Sequence, residues 1–101
     1  MELSVVERLN LMNLLPNEGT YINLKLVRVA REELSFSDEE VKVLGFVQDG
    51  DQVRWNMKAN ILKDVRLGEV VTLMVIDSLK KFDEGEKLKN DHFSLFEKFC
   101  L

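Results

Sequence analysis

Residues 20–34, TYINLKLVRVAREEL, decide the fold, because their apolar side chains recur at helical spacing. One face of the predicted helix carries Leu26, Val27, Ala30 and Leu34, with Ile22 and Val29 on its flank. Charged side chains fall on the opposite face, and Thr20 is placed to cap the first turn. A helix with so wide an apolar face is not stable alone in water. We therefore expect it to lie at the centre of the domain, covered on most of its circumference by other elements.

The composition is that of one globular domain. The chain has 101 residues, of which 46% are hydrophobic and 32% are charged, and its formal net charge is -4. Disordered chains are richer in charge and poorer in apolar residues. No apolar run approaches the ~20 residues of a membrane span, and no secretory leader pattern opens the sequence. We predict a single cytoplasmic domain over residues 1–101, in which the sole cysteine, Cys100, is a free thiol.

Capping boxes predict the starts of two further helices. Two residue pairs have the required spacing, Ser4 with Glu7 and Ser37 with Glu40. The first helix should run over residues 5–15 and end before Pro16, with Val5, Val6, Leu9, Met12 and Leu15 on its apolar face. A short turn then leads into the central helix. We expect these two helices to pack antiparallel, because the connection between them is short.

The helix that starts after Ser37 is predicted to be short. It should end at Leu44, because Gly45 suits the left-handed position that follows many helices. Phe36 and Val41 have the spacing of a hydrophobic staple across its first turn, and Phe46 should also contact Val41.

A β-hairpin is predicted next, because Asp49-Gly50 is a favoured two-residue turn. In that register Gln48 lies opposite Asp51 and Phe46 lies opposite Val53. The apolar face of the predicted hairpin consists of Phe46, Val53 and Trp55, and the other face carries Val47, Gln52 and Arg54.

The second half of the chain gives weaker signals. Residues 57–62 show neither helical nor strand periodicity, whereas residues 63–67 suit a third strand. Residues 69–82 are rich in β-branched side chains, but their apolar pattern exceeds strand length, so we predict a buried helix. Asn90 or Asp91 can cap a last helix. The predicted fold class is α+β, a helix-rich single domain of about five helices with a small antiparallel β-hairpin or three-stranded sheet.

No complete catalytic or metal-binding signature is present in the sequence. His92 is the only histidine, and no serine or cysteine lies at a readable spacing from it for nucleophilic catalysis. The acidic groups within residues 38–40 and 83–86 do not match a calcium loop, and the five glycines form no phosphate-binding motif. We therefore predict a protein that is not an enzyme and that uses no metal or cofactor.

Arg54, Trp55 and Asn56 are the leading candidates for a recognition site. Arginine and tryptophan contribute most of the binding energy at many interfaces. Arg28 and Arg31 on the central helix would add positive charge beside them if the ligand is nucleotide-like. In the alternative interpretation, Trp55 covers the core and Arg54 lies on the solvated face of the hairpin.

Three helices followed by a hairpin also match the order of a winged helix-turn-helix. The third helix would then have to enter the DNA major groove, yet it begins with three acidic residues at positions 38–40. Carboxylates at that position repel phosphate, and the net charge of the chain is negative. We therefore expect nucleic acid not to be the partner.

Several short segments form a combination that is found in other proteins. They are Glu7-Arg8-Leu9, Asn13-Leu14-Leu15-Pro16 with Glu18-Gly19, Leu34-Ser35-Phe36-Ser37 with Glu39-Glu40, Leu44-Gly45-Phe46 and Arg54-Trp55-Asn56. In these segments, and more loosely through Gly68-Glu69 and the last two helices, the chain resembles a group of small uncharacterised bacteriophage and prophage proteins. The resemblance implies a phage gene product made in the cytoplasm of a bacterial host. It implies no activity and no site residues.

These observations together predict a binding module. The leading hypothesis is a phage accessory or host-modulating protein, of the inhibitor or anti-defence type, that binds a host protein. The alternatives are a sponge for a small nucleotide-like ligand, a virion assembly protein and a winged-helix-like nucleic-acid binder.

Self-association is predicted for the last helix. Phe93, Phe96 and Phe99 recur every three residues and form a wide apolar surface, which a second copy would cover in a two-fold homodimer. In the alternative interpretation, this helix folds back onto its own core.

Overall fold

The fold is a set of α-helices accompanied by two small sheets. The computed structural model describes residues 1–56, 58–59 and 61–101. Within them the elements are β1 (Glu2–Leu3), α1 (Val5–Leu14), α2 (Tyr21–Leu34), α3 (Asp38–Leu44), β2 (Val47–Asp49), β3 (Gln52–Arg54), β4 (Lys63–Asp64), α4 (Glu69–Glu84) and α5 (Phe93–Cys100). A turn of 3-10 helix, Asn90–His92, precedes α5. The α+β fold class is confirmed. The prediction for residues 57–62 includes Met57 and Asn60, which lie outside the described residues.

The two predicted capping boxes and the predicted end of α3 are confirmed. In α1 the Glu7 N–H donates to Ser4 Oγ at 3.2 Å, and the Ser4 N–H donates to Glu7 Oε1 at 3.0 Å. The same reciprocal pair opens α3 between Ser37 and Glu40. Gly45 ends α3 with a φ of 58°, in the left-handed region that the sequence predicts. Each of these features depends only on residues within one or two turns.

The hairpin forms, but its turn lies one residue later than predicted. Asp49 pairs with Gln52, so Gly50 and Asp51 are the two turn residues. Gly50 has a φ of 62°, and Asp51 has no positive φ, which suits a type II′ turn with glycine first. Each residue of β2 pairs with the residue two positions later in β3 than predicted, and a shift of two positions leaves the faces of the strands unchanged. Phe46, Val53 and Trp55 therefore remain on one face.

The predicted third strand is much shorter than expected and pairs elsewhere. Only Lys63–Asp64 forms a strand, β4, and it pairs antiparallel with β1 rather than with the hairpin. The Val65 N–H extends this ribbon by donating to the Met1 carbonyl at 2.9 Å. The three-stranded alternative is therefore wrong. Two-residue strands are too short to show a period-two pattern, so the β1–β4 ribbon could not be recognised in the sequence.

The core lies between α1, α2, α4 and α5, and the β1–β4 ribbon closes one side of it. Its buried members are Leu3, Leu11, Leu14, Leu15, Val27, Ala30, Leu34, Val65, Val71, Val75, Leu79 and Leu95. Residues 69–82 are helical, as predicted, within the longer α4, but this helix is buried on one face only, because Val70 and Leu73 are exposed. The expectation that α2 is covered on most of its circumference is wrong, because Ile22 and Val29 are exposed. Only one face of α2 meets the core.

Arg8 is fully buried on the inward face of α1, although no role was predicted for it from the sequence. Its Nε donates to the Leu34 carbonyl at 3.1 Å, and its Nη2 donates to the Ser35 carbonyl. Its Nη1 lies 2.6 Å from Glu40 Oε2 in a salt bridge. Its guanidinium also lies 3.9 Å from the centroid of the Phe36 ring. One side chain therefore joins α1 to the end of α2 and to the start of α3.

The contacts of Phe36 differ from the predicted staple. Phe36 packs against Arg8 and, edge to face, against Phe46, with the two ring centroids 5.0 Å apart. Val41 is exposed instead. The guanidinium offers Phe36 a buried partner, so the ring turns toward α1 rather than along α3.

Glu40 is held in its charged form by this arrangement. The hydrogen bond from Arg8 is the largest influence, and together with the Ser37 N–H it lowers the pKa of Glu40 from 4.5 to about 2, against the effect of burial. A carboxyl group whose pKa is lower in the folded chain stabilises the fold once it is ionised.

We expect Glu40→Gln to lower the free energy of unfolding by about 3 kcal/mol at neutral pH, because Arg8 loses its counter-charge while glutamine keeps the capping box. Urea unfolding measures this change. Glu39→Gln, on the exposed side of the same helical turn, is the matched control and should change the free energy of unfolding by less than about 0.5 kcal/mol. Equal effects of the two substitutions would contradict the role of the ion pair.

The pH dependence of stability should show the same interaction. Because the pKa of Glu40 is about 2 in the folded chain and 4.5 ordinarily, its contribution is fully present above about pH 5. It is lost as the pH falls from 4.5 through 2, so the wild type and Glu40→Gln should converge in stability in that range. Urea titrations at a series of pH values measure this, and a constant difference down to pH 2 would contradict it.

Candidate functional site

A groove with a volume of about 880 Å³ lies between α1 and β3. Its lining residues are Val6, Leu9, Asn10, Met12 and Asn13 from α1, residues 51–55 of the hairpin, and Asp91. Val6, Leu9 and Met12 were predicted to face the core, but Val6 and Leu9 lie on the groove side of α1, whereas Met12 lines the groove and also packs against the core. The inward face of that helix is occupied by Val5, Arg8, Leu11 and Leu14. The orientation of α1 was predicted wrongly because its buried face includes a charged residue, Arg8.

Aromatic contacts position the hairpin. Phe46 lies between Phe36 and Trp55, with the centroids of Phe46 and Trp55 6.2 Å apart. The Asn56 N–H donates to the Leu44 carbonyl at 2.7 Å and closes the base of the hairpin. Trp55 is half-buried, because it contacts Phe46 and also lines the groove. Trp55 therefore packs against an aromatic residue of the hairpin rather than against the main core, and part of it faces the groove.

The groove follows the outer edge of β3 rather than a face of the hairpin. Among the described residues that line it, five consecutive ones come from β3 and its ends, and none comes from β2. A groove on the face of a two-stranded ribbon would have side chains of both strands in its wall. The backbone edge of β3 is therefore part of the groove.

The charges in the groove are predominantly acidic. Arg54 is exposed, and its Nη2 lies 3.0 Å from Asp49 Oδ2 on the neighbouring strand, so its charge is paired within the hairpin. Asp51 and Asp91 line opposite sides of the groove without an ion pair among the described residues. Asn10 Nδ2 donates to the Asp91 carbonyl at 3.3 Å and joins α1 to the start of α5.

A second hollow of about 570 Å³ adjoins the groove and shares Asn10, Asn13 and Asp91 with it. Its remaining wall includes Phe82, Lys87, Lys89 and His92. The His92 ring stacks on Phe82 with centroids 5.5 Å apart, and His92 Nδ1 accepts the Lys89 N–H at 3.3 Å. These contacts give His92 a structural role. The predicted cap of α5 by Asn90 or Asp91 is wrong, because the residue at the cap position is His92, and its side chain makes no capping hydrogen bond to α5.

Two of the other predicted binding residues, Arg28 and Arg31, lie away from the groove, whereas Asn56 follows Trp55 at the base of the hairpin. Arg28 and Arg31 line a small hollow with Pro16 and Asn17, and this hollow shares no lining residue with the groove. Arg31 Nη2 donates to Asn17 Oδ1 at 3.0 Å, which holds the connection between α1 and α2. Of the five candidates, the structure brings only Arg54 and Trp55 together in the groove.

The phenylalanines of α5 divide between core and surface. Leu95 is the fully buried residue of this helix, and Phe96 and Phe99 pack against the core beside it. Phe93 is 68% exposed. Cys100 is half-buried, and burial raises the pKa of its thiol. The helix therefore folds back onto its own core with two of the three phenylalanines.

A salt bridge fastens α5 to the start of α1. Lys98 Nζ lies 2.7 Å from Glu7 Oε1 and also donates to the Glu2 carbonyl at 2.9 Å. Burial raises the pKa of Glu7, but the hydrogen bonds from Lys98 and from the Ser4 N–H outweigh it, and the net pKa lies below the ordinary value. The carboxylate that caps α1 is thus also the partner of a lysine at the other end of the chain.

Two kinds of site are not found in the part of the chain that the structure describes. No group of three or more histidine, cysteine, aspartate or glutamate residues there is arranged to hold a metal ion. None of the described helices combines the length and apolar character needed to cross a membrane.

Known proteins provide no further assignment for this groove. Comparison of the chain with protein-family models, with curated protein sequences and with solved structures found no match.

Proposed function

We propose that this protein is a binding module that holds a segment of a partner protein in the groove between α1 and β3. The observation that carries the proposal is the make-up of the groove. It has an apolar wall, a half-buried tryptophan and a rim of amides and charges, which is the usual anatomy of a protein-binding surface.

The resemblance to small phage proteins supports a biological setting for this binding. In that setting the protein acts in the cytoplasm of an infected bacterium, and its partner is a host protein whose activity it modulates by occupying a surface. The mechanism requires no chemical step, because binding alone blocks the surface that is covered.

The proposal is tested by capture of host proteins on the immobilised chain, with one variant in the groove and one outside it. Val6→Asp places a charge in the apolar wall at the first turn of α1, where aspartate is well tolerated by a helix. Val29→Asp, on the exposed face of α2, is the matched control.

We expect Val6→Asp to weaken the affinity for the captured protein by about tenfold or more, while Val29→Asp leaves it unchanged. Titration of the purified partner, followed by Trp55 fluorescence, measures the affinity. Equal affinity of Val6→Asp and wild type would show that the partner binds another surface.

A nucleotide sponge is the second candidate function, because the volume of the groove lies within the range of small-molecule sites. The charges oppose it, since Asp51 and Asp91 repel phosphate and Arg54 is already paired with Asp49. We therefore expect Trp55 fluorescence to stay unchanged across a panel of nucleotides. A saturable change with any one of them would favour the sponge.

Self-association through α5 stays a proposal with a narrower surface than the sequence suggested. Phe93 and Leu101 lie at the two ends of α5, are 68% and 85% exposed, and are the apolar side chains that a second copy would cover. In light scattering at micromolar concentration, we expect a dimer mass for the wild type and a monomer mass for Phe93→Ser. A monomer mass for the wild type would remove this proposal and leave the groove unaffected.

A further inference from the structure

We infer that the occupant of the groove is an extended, positively charged peptide segment that adds a third strand to the free edge of β3. This inference rests on the proposed function and specifies the conformation and charge of the segment that the partner supplies. It follows from the hydrogen-bonding pattern of the hairpin, the chemistry of the two groove walls and the short length of the hairpin.

The backbone of Val53 points away from β2. Asp49 and Gln52 flank the two-residue turn and form a hydrogen-bonded pair, so the next pair, Gln48 with Val53, is non-hydrogen-bonded. The N–H and C=O of Val53 are therefore directed to the outer edge of β3. No other described strand pairs with that edge, which borders the groove.

The opposite wall is matched to the side chains of a strand. Successive side chains of an added strand alternate between the two sides of the sheet. Those on the side of α1 would meet the apolar wall of Val6, Leu9 and Met12. Backbone hydrogen bonds would supply affinity, and the apolar wall would supply preference for particular side chains, as in other cases of strand addition.

The charge of the groove selects a basic segment. Asp51 and Asp91 lie at its margins, and the one arginine in its wall is paired with Asp49. Lysine or arginine at the ends of the segment would complement the two carboxylates. An acidic segment would be repelled by them, because like charges at a shared interface cost binding energy.

A third strand would also increase the stability of the hairpin. A two-stranded ribbon is only marginally stable in water, and three strands with an apolar face are much more stable. The edge strand β3 is only three residues long and includes the charged Arg54, but it contains no proline or lysine, and its pairing with β2 contains no bulge. Binding should therefore slow amide hydrogen exchange within the hairpin.

The decisive experiment uses a displayed library of short random peptides and two proline variants. Val53→Pro removes the N–H that faces the groove, and Gln48→Pro removes the N–H of the paired residue, which faces the opposite edge. Neither N–H belongs to the β2–β3 ladder, so both substitutions should leave the hairpin paired. Because Gln48→Pro also removes the hydrogen bond from Gln48 Nε2 to the Gly50 carbonyl, hydrogen exchange on each unbound variant verifies that the hairpin is intact.

We expect wild type and Gln48→Pro to enrich peptides in which apolar residues alternate and lysine or arginine flanks them. Val53→Pro should bind the enriched peptides about tenfold or more weakly. Hydrogen exchange on the wild type gives an independent measurement, in which the peptide should protect the amides of β3. Enrichment of acidic or helical-period peptides, no enrichment, or absence of that protection would overturn the inference.

Two double variants, each of which removes two carboxylates, test whether the groove prefers a basic segment. Asp51→Asn combined with Asp91→Asn should remove the preference for lysine and arginine, whereas Asp77→Asn combined with Asp83→Asn on α4 should keep it. A partner that depends on Val6 but binds Val53→Pro like wild type would preserve the proposed function and overturn strand addition. A partner that is indifferent to Val6, Val53 and the two groove carboxylates would overturn both.

Discussion

The buried guanidinium of Arg8 is the interaction on which the rest of the structure depends. Removing a guanidinium from water is costly, and the cost is offset only when its donors are satisfied with good geometry. Here the Leu34 and Ser35 carbonyls, the Glu40 carboxylate and the Phe36 ring surround it. Because Arg8 lies on α1 and its partners come from α2, from α3 and from the connection between them, satisfying the charge fixes the angles at which the three helices meet.

The position of the groove also depends on the Arg8 guanidinium. Phe36, which covers the guanidinium, contacts Phe46, and Phe46 contacts Trp55 at the end of β3. The hairpin is thus attached to the helices through a row of three rings. The helix that sends its arginine inward presents Val6 and Leu9 outward, toward that hairpin. The helix α1 therefore determines the position of both groove walls. It supplies the first wall itself, and it positions the second wall, β3, through the row of three rings.

The features that could be predicted from the sequence are those whose causes are local. The capping box at Ser37 and the left-handed Gly45 involve neighbours within a turn or two, and both are confirmed. Arg8 could not be assigned, since its partners lie 26 to 32 residues away and an arginine in a helix is normally solvated. For the groove, Trp55 was identified by residue type alone. The opposite wall at Val6 was missed, because an apolar residue beside a buried arginine looks like the core face.

The salt bridge between Glu7 and Lys98 has a consequence for the order of folding. The two residues are separated by 91 positions, and the contact between Lys98 and the Glu2 carbonyl spans 96. Contacts of such length form late, because a long loop must close before they contribute. During synthesis on the ribosome, α1 emerges early, but Glu7 can form its salt bridge with Lys98 only when α5 has left the exit tunnel. We therefore expect a nascent chain that ends before α5 to keep its first helix incompletely docked.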